Sequence, residues 1–156
     1  MTQTAVALST DARVAIVEAL NQSVAETAVT TMLAQNFHWN VKGMAFGPLD
    51  ALFQEIYEDH FVAQDDLAER VKALDGHAEG MLAGMLKRSK VTEHDGHAND
   101  QEMIKAMQIA QETLAATLGG AGALAAEHGD TLTEDLCIAR GQTHEKFAWM
   151  LRSHLA

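Results

Sequence analysis

The sequence predicts an all-α domain: a four-helix bundle with one long crossover that carries a short fifth helix. Apolar residues recur at steps of three and four along four long segments, which is the period of a helix. Proline occurs once in 156 residues and β-branched runs are few, which favours helix over strand. Glycine-containing breaks separate the segments. We expect residues 1–9 to form a short flexible tail and residues 10–156 to form one domain.

The first long helix is expected from about Thr10 to Asn36 or a little beyond. Ser9 or Thr10 is a suitable N-cap, because a hydroxyl oxygen accepts a hydrogen bond from a free backbone N–H. A break from Gly43 to Pro48 ends this helix. Pro48 suits the first position of the second helix, where a missing N–H needs no partner.

The second helix is expected to end near Asp75-Gly76, with the glycine as its C-terminal cap. The crossover follows, and residues 80–88 form its short helix. Asn99 with Glu102 is typical of a capping box at the start of the third long helix. Thr131 with Glu134 predicts a second capping box, and the last helix runs from there to about residue 154.

Composition and charge narrow the function. The formal net charge is −11, which argues against a nucleic-acid partner, because phosphates need Lys and Arg to displace their counterions. No apolar run approaches the roughly 20 residues of a membrane span, and the start lacks the order of a secretory signal. We therefore expect a cytoplasmic protein. The one cysteine, Cys137, excludes an internal disulfide and is expected in the core.

Candidate metal ligands lie along the second helix. Asp65 and Glu69 are four residues apart and leave one face, as do Asp50 and Gln54. Asp50 and Asp65 are about 22 Å apart along the axis, so one ion cannot touch both. His38, just before the break, lies on the Asp50 side. If both ends serve one centre, a second chain must contribute, and two antiparallel helices about a two-fold axis would form two equivalent sites.

Structural alternatives remain open at this point. An acidic pair at this spacing is commonly a solvated helix face, and a histidine after an apolar stripe is commonly a core or cap residue. None of the eight histidines follows a glutamate by three positions, which disfavours a di-iron centre inside one bundle. His94 and His97 have metal-ligand spacing, but their polar connection is better explained as a solvated loop.

Two longer motifs narrow these alternatives. The first is His38-Trp39-Asn40-Val41-x-Gly43, followed by Phe46, Leu49, Phe53, Tyr57, Asp65 and Ala68-Glu69-Arg70. The second is Glu127-His128-Gly129-Asp130, Thr133, Asp135-Leu136, His144-Glu145-Lys146 and Trp149-Met150-Leu151. In both motifs the sequence resembles the Dps family, the mini-ferritins, from about residue 10 onward.

This resemblance implies a hollow dodecamer of ferritin-like subunits that protects against oxidative stress. It implies a ferroxidase, an oxidoreductase that oxidises Fe(II), preferably with hydrogen peroxide, and stores Fe(III) as a mineral. The metal is iron, or Zn²⁺ in its place. By position, His38 is a catalytic metal ligand from one subunit, and Asp65 and Glu69 are ligands from its partner.

The resemblance implies further roles. Trp39 would lie beside the centre, either to intercept radicals or to pack. Glu55 falls where the family places an inward carboxylate near the surface that nucleates the mineral. Asp130 and Asp135 fall where acidic residues line pores that admit Fe(II). A helix cap at Thr131 gives a purely structural explanation of the same turn.

The chain departs from the family at two ligand positions. Asp50 stands where the family has a second histidine; it can still ligate iron through oxygen. Gln54 stands where the family has a carboxylate, and it is a weak neutral ligand. A metal-sequestering cage with little ferroxidase activity is therefore the alternative function. The basic terminal extension on which DNA binding usually depends is missing, so we expect no tight DNA binding.

Overall fold

The computed structural model describes residues 7–156, and five helices make up this part of the chain. The helices are α1 (Thr10–Asn40), α2 (Phe46–Ala73), α3 (Leu82–Arg88), α4 (Asp100–Glu127) and α5 (Thr131–Ser153). α1 packs along α2 and α4, α4 packs along α5, and the short α3 lies on α1. The predicted four-helix bundle with a helix in its crossover is confirmed. Within residues 7–156 no helix is long and apolar enough to cross a membrane.

Two of the predicted helix starts are confirmed. The Ser9 hydroxyl accepts a hydrogen bond from the backbone N–H of Ala12 at 3.1 Å and caps α1. Most of the predicted flexible tail, residues 1–6, lies outside the described residues. At α4 the Asn99 side chain accepts from the Glu102 backbone, and the Glu102 carboxylate accepts from the Asn99 backbone, each at 2.9 Å. This is the predicted capping box.

The start of α5 differs from the prediction. Its N-cap is Asp130, whose carboxylate accepts from the backbone N–H of Thr133 at 3.2 Å. The expected capping box of Thr131 with Glu134 was wrong. An aspartate caps at least as well as a threonine, and the Asp130 carboxylate is also held by Arg70, so the helix begins one residue earlier than the threonine pattern suggested.

Both ends of α2 also differ by a few residues. The helix begins at Phe46, so Pro48 occupies its third position rather than its first. This position is still tolerated, because the first four N–H groups of a helix have no partner within it. At the other end Asp75, with φ of 61°, takes the left-handed conformation, whereas we expected Gly76 to be the C-terminal cap.

Gly76 is required there by packing instead. A Cβ atom on Gly76 would lie 2.7 Å from a side-chain carbon of Val17. The backbone N–H of Gly76 also donates to the carbonyl of Val71 at 2.9 Å, which closes the end of α2. The glycine therefore allows the C-terminal end of α2 to approach α1 closely.

The core has two apolar clusters that occupy opposite halves of the bundle. Phe37, Phe53 and Met107 belong to one, and Leu20 and Leu118 to the other. Buried polar side chains lie between the clusters along the helices. They are Glu26, Thr27 and Thr30 on α1, His60 on α2, Gln111 on α4 and His144 on α5.

Five of the polar side chains at this level form a closed ring of hydrogen bonds. His60 donates from Nδ1 to Asp59 at 3.0 Å and accepts at Nε2 from Gln111 at 3.0 Å. His144 donates from Nδ1 to Gln111 at 2.7 Å and accepts at Nε2 from Arg140. Arg140 in turn donates to Asp59 at 2.7 Å. Both imidazoles must be neutral for this pattern, because each uses one nitrogen as an acceptor.

Side chains of α1 hold the crossover in place through hydrogen bonds to its backbone. The buried carboxylate of Glu26 accepts from the backbone N–H of Lys90 at 3.1 Å and from the Thr117 hydroxyl. The Asn36 amide donates to the carbonyl of His94 at 2.7 Å, and the His94 ring lies edge-on to Phe37. His94 thus helps to fix the connection, in agreement with its interpretation as a loop residue.

Candidate metal centre

His38 lies in the last turn of α1 and faces the first turns of α2. Its Nδ1 donates to the backbone carbonyl of Asp50 at 2.8 Å, and its side chain is 18 % exposed. This hydrogen bond fixes the tautomer that carries its proton on Nδ1, so the lone pair of Nε2 remains available to a metal ion. The two residues meet because residues 41–45 turn the chain back on itself.

The Asp50 carboxylate lies at the same point. Its Oδ1 is 3.3 Å from His38 Nδ1, and the side chain is 34 % exposed. Asp50 therefore presents both its backbone oxygen and a carboxylate oxygen to the imidazole. The structure brings together these two predicted ligands within one chain.

Tyr57 is a neighbour of His38 whose role the sequence alone did not suggest. The two ring centroids are 5.4 Å apart and the planes are inclined at 71°, an edge-to-face arrangement. Tyr57 follows Asp50 by seven residues, which is two turns of α2 and hence the same face. That spacing was the available signal, but it does not indicate which residue of α1 the face meets.

Asp65 and Glu69 lie far from this pair, on the C-terminal half of α2. Both are exposed, and within residues 7–156 neither makes a side-chain hydrogen bond or an ion pair. In the same range no three His, Cys, Asp or Glu side chains converge in a way that could hold a metal. Each chain thus carries two partial ligand sets at opposite ends of α2.

Gln54 is engaged in a local contact. Its side-chain amide donates to the Glu58 carboxylate at 2.8 Å, one turn further along α2. The amide nitrogen cannot ligate a cation, so only the Gln54 carbonyl oxygen is left for one. The role of Gln54 as a weak neutral ligand stays a prediction, with its amide already hydrogen-bonded to Glu58.

Arg70, the neighbour of Glu69, connects α2 to the start of α5. Its Nε donates to the Thr133 hydroxyl at 2.8 Å, and its Nη2 donates to the Asp130 carboxylate at 3.1 Å. Asp130 is fully buried, so its carboxylate serves the helix cap and this ion pair within the chain. Asp135, the other predicted pore residue, is exposed. The sequence motif contains Arg70, but it does not indicate that Thr133 and Asp130 are its hydrogen-bond partners.

The remaining predicted residues differ in burial. Trp39 is 64 % exposed, and Glu55 is exposed on α2. Cys137 is 2 % exposed, which confirms its assignment to the core. Burial, with a smaller effect from the Asp130 charge, raises the pKa of the Cys137 thiol to about 11. This thiol therefore stays protonated near neutral pH and is a poor metal ligand.

Apolar surface surrounds the two partial ligand sets. Phe61 and Val62, which precede Asp65 on α2, are 72 % and 60 % exposed. A groove of about 430 Å³ is lined by Trp39 and Met32 of α1 and by Leu86 of α3, among other residues. Exposed apolar patches of this kind commonly mark interaction surfaces.

Comparisons with known proteins agree with this architecture. A ferritin-like domain matches residues 17–156. General stress protein 20U of Bacillus subtilis is 34 % identical over 140 residues, which are 90 % of this chain and 97 % of that protein. DNA protection during starvation protein 2 of Bacillus anthracis is 31 % identical over 140 residues, which are 90 % of this chain and 96 % of that protein.

Solved structures give the same result. The Dps protein of Vibrio cholerae O1, described as a member of a broad superfamily of ferritin-like diiron-carboxylate proteins, superimposes with a TM-score of 0.91. It is 29 % identical, and the match covers 100 % of both chains. A Dps protein of Bacillus brevis superimposes with a TM-score of 0.92 at 32 % identity, over 96 % of this chain and 100 % of that one.

Proposed function

Because the chain belongs to the Dps family of ferritin-like proteins, we propose that it oxidises Fe(II) and stores the Fe(III) product inside a cage of identical subunits. The ferritin-like match covers most of the chain, and a structural neighbour is described as a diiron-carboxylate protein. Iron is therefore the metal that we assign to the His38, Asp50, Asp65 and Glu69 side chains. A dodecamer that protects against oxidative stress is the assembly we propose.

The separation of the ligands along α2 carries this proposal. His38 and Asp50 meet at one end, whereas Asp65 is about 22 Å and Glu69 about 28 Å from Asp50 along the helix axis. Two copies of α2 that lie antiparallel about a two-fold axis would place Asp65 and Glu69 of one chain opposite His38 and Asp50 of the other. A two-fold axis makes two such sites, each built from both chains.

The exposed apolar surface supports the same pairing. The axis would cross α2 midway between Asp50 and Asp65, close to Phe61 and Val62. Pairing would remove these side chains from water, and burial of a large apolar side chain contributes about 1.5–3 kcal/mol. The interface that completes the site would thus also be stabilised by its own apolar contacts.

The site residues divide the chemistry between them. His38 offers a neutral nitrogen, Asp65 and Glu69 offer negative oxygens that offset the charge of Fe(II), and Asp50 offers a further oxygen. In this proposal Glu69 would bridge two ions. Two Fe(II) ions and one hydrogen peroxide, with two protons, give two Fe(III) ions and two waters. Because both electrons reach the peroxide together, no hydroxyl radical is released.

Other residues serve the passage and deposition of iron in this proposal. Asp135 is exposed and would attract Fe(II) to a pore, since clustered negative charge concentrates cations. Glu55 would bind Fe(III) at the inner surface and nucleate the mineral. Trp39 would lie beside the centre and would intercept any radical that formed.

One observation favours a second candidate function. The Gln54 amide is occupied by its hydrogen bond to Glu58, and position 54 offers no carboxylate to a metal ion. The second metal position is therefore weak. A cage that sequesters Fe(II) or Zn²⁺ without rapid oxidation is the alternative that follows.

Stopped-flow measurement of Fe(II) oxidation separates the two functions. The assembled protein is mixed with Fe(II) and then with equimolar hydrogen peroxide or dissolved oxygen. The ferroxidase proposal predicts fast oxidation with peroxide, slow oxidation with oxygen, and loss of the fast phase in His38→Ala. Tight Fe(II) binding with no fast phase in the native protein would favour sequestration instead.

A further inference from the structure

The imidazole of His38 meets α2 at two points. Nδ1 donates to the backbone carbonyl of Asp50, and the ring packs edge to face with the phenol of Tyr57. We propose that Tyr57 is a positioning residue for His38: its ring holds the imidazole plane so that Nε2 points at the iron-binding position. This inference rests on the proposed function, because it assumes that His38 binds iron.

One hydrogen bond alone does not fix an imidazole. The Cβ–Cγ bond and the hydrogen bond from Nδ1 to Asp50 hold one edge of the ring, but small changes of χ1 and χ2 can still tilt the imidazole plane. The Tyr57 ring packs edge to face against the imidazole, with a centroid separation of 5.4 Å and a plane angle of 71°, and this contact restricts the tilt. The two contacts together define the direction of Nε2.

Tyr57 is itself anchored. It is partly buried and packs against the apolar cluster that contains Phe37 and Phe53. Asp50 and Tyr57 belong to the same rigid helix, so α2 supplies both contacts to His38. The helix that carries Asp65 and Glu69 for the partner site thereby also aligns the histidine of its own chain.

The phenol ring, rather than its hydroxyl, makes the contact. Among residues 7–156 the Tyr57 hydroxyl makes no hydrogen bond. A phenylalanine at this position therefore keeps the positioning surface, and an aliphatic side chain removes it. Groups that orient a metal-binding histidine typically change metal affinity by about 10–100-fold when they are lost.

Titration with cobalt(II) chloride tests this role without iron oxidation. Cobalt(II) absorbs visible light in a manner that depends on its ligands, so both affinity and the spectrum of the bound ion are measured. We expect native affinity and spectrum in Tyr57→Phe. In Tyr57→Leu we expect about tenfold weaker binding and an altered spectrum, while the size of the assembly and its unfolding temperature stay close to those of Tyr57→Phe.

A second aliphatic variant, Tyr57→Met, has a longer and more flexible side chain of similar volume and guards against a packing defect in Tyr57→Leu. Native cobalt(II) affinity and spectrum in either folded aliphatic variant would overturn the inference. His38→Ala is the reference for the site itself. If His38→Ala leaves cobalt(II) binding unchanged, the proposed function fails; if it abolishes binding while the aliphatic variants bind normally, only the role of Tyr57 fails.

Discussion

The imidazole of His38 donates from Nδ1 to the backbone carbonyl of Asp50 at 2.8 Å, and the Asp50 carboxylate lies 3.3 Å from the same nitrogen. Replacement of the Asp50 side chain therefore leaves the main contact that orients the histidine. We predict that Asp50→Ala lowers iron occupancy and peroxide-dependent Fe(II) oxidation by about tenfold through loss of a carboxylate oxygen. Unchanged occupancy and rate in stopped-flow and metal-analysis experiments would show that Asp50 is not a ligand.

Substitutions that restore the ligands of the family should strengthen the centre. In the double variant Asp50→His with Gln54→Asp, the histidine and carboxylate of the family pattern replace the two departures. We predict at least about tenfold faster oxidation of paired Fe(II) by hydrogen peroxide, since the centre gains a nitrogen ligand at position 50 and keeps a carboxylate, now at position 54. Gln54→Asn is the matched control and should leave the rate near the native value. An unaltered rate in the double variant would mean that the native second position is not limiting.

The hydrogen-bonded ring around Gln111 predicts sensitivity to acid. Burial lowers the pKa of His60, and burial, with the repulsion that a protonated His60 and Arg140 would exert, lowers the pKa of His144. Burial by itself would raise the pKa of Asp59, but hydrogen bonds from His60 and Arg140, together with the Arg140 charge, lower it. From α1, the buried Glu26 carboxylate bonds Gln22, Thr117 and Lys90 and no member of the ring.

The direction of the change in stability with pH follows from proton uptake by the unfolded chain. The unfolded chain protonates its histidines below pH 6.5, whereas the folded ring keeps them neutral, so stability is full above this pH and falls below it. We expect a loss of about 1.4 kcal/mol per histidine at pH 5.5 relative to pH 7.5. Urea unfolding at the two pH values measures it. The variant His60→Gln with His144→Gln should be less stable at pH 7.5 but should show a smaller difference, and an equal difference would contradict this explanation.

The ion pair of Arg70 with Asp130 predicts a large effect on stability. Asp130 is fully buried, so Arg70→Met would leave its charge without the guanidinium partner. We expect a loss of about 3 kcal/mol in the free energy of unfolding. Asp130→Asn, which keeps a helix cap and removes the charge, should cost less. Thermal and urea unfolding compare the two variants, and equal stability of Arg70→Met and the native protein would contradict the assigned role.

The charge of the chain predicts weak affinity for DNA, although one relative is named a DNA protection protein. A net charge of −11 on every subunit repels phosphates, and no basic cluster stands in the first residues of the sequence. We expect no retardation of plasmid in a gel-shift experiment at moderate salt without free divalent metal. A retarded band under these conditions would show that a local basic surface outweighs the net charge.

Local patterns predicted the bundle and two of its caps. The apolar period located the helices, and short-range capping signals at Ser9 and Asn99 depend only on residues within one turn. The predictions were wrong where a contact with a residue far away in the sequence determines which of two neighbouring residues caps or ends a helix. Arg70 favours Asp130 over Thr131 as a cap, and the approach of Val17 determines why Gly76 is a glycine.

The site was only partly predictable for the same reason. Helical spacing placed Asp65 with Glu69 and put His38 on the Asp50 side, because these relations follow from one helix and one turn. The contact of Tyr57 with His38, and the ring that joins His60 to His144, depend on the rotation of packed helices. The sequence indicates which residues share a face of one helix. It does not indicate which face of one helix packs against which face of another.

Mixed subunits test the central claim, that each iron site draws ligands from two chains. His38→Ala and the double variant Asp65→Ala with Glu69→Ala are each dissociated and reassembled, alone and as an equal mixture. We predict that each variant alone lacks fast peroxide-dependent Fe(II) oxidation. Random pairing in the mixture gives half of the dimers one intact site of two, so the mixture should regain about a quarter of the native amplitude. A mixture as inactive as its two components, despite exchange of subunits shown by native mass spectrometry, would contradict the account.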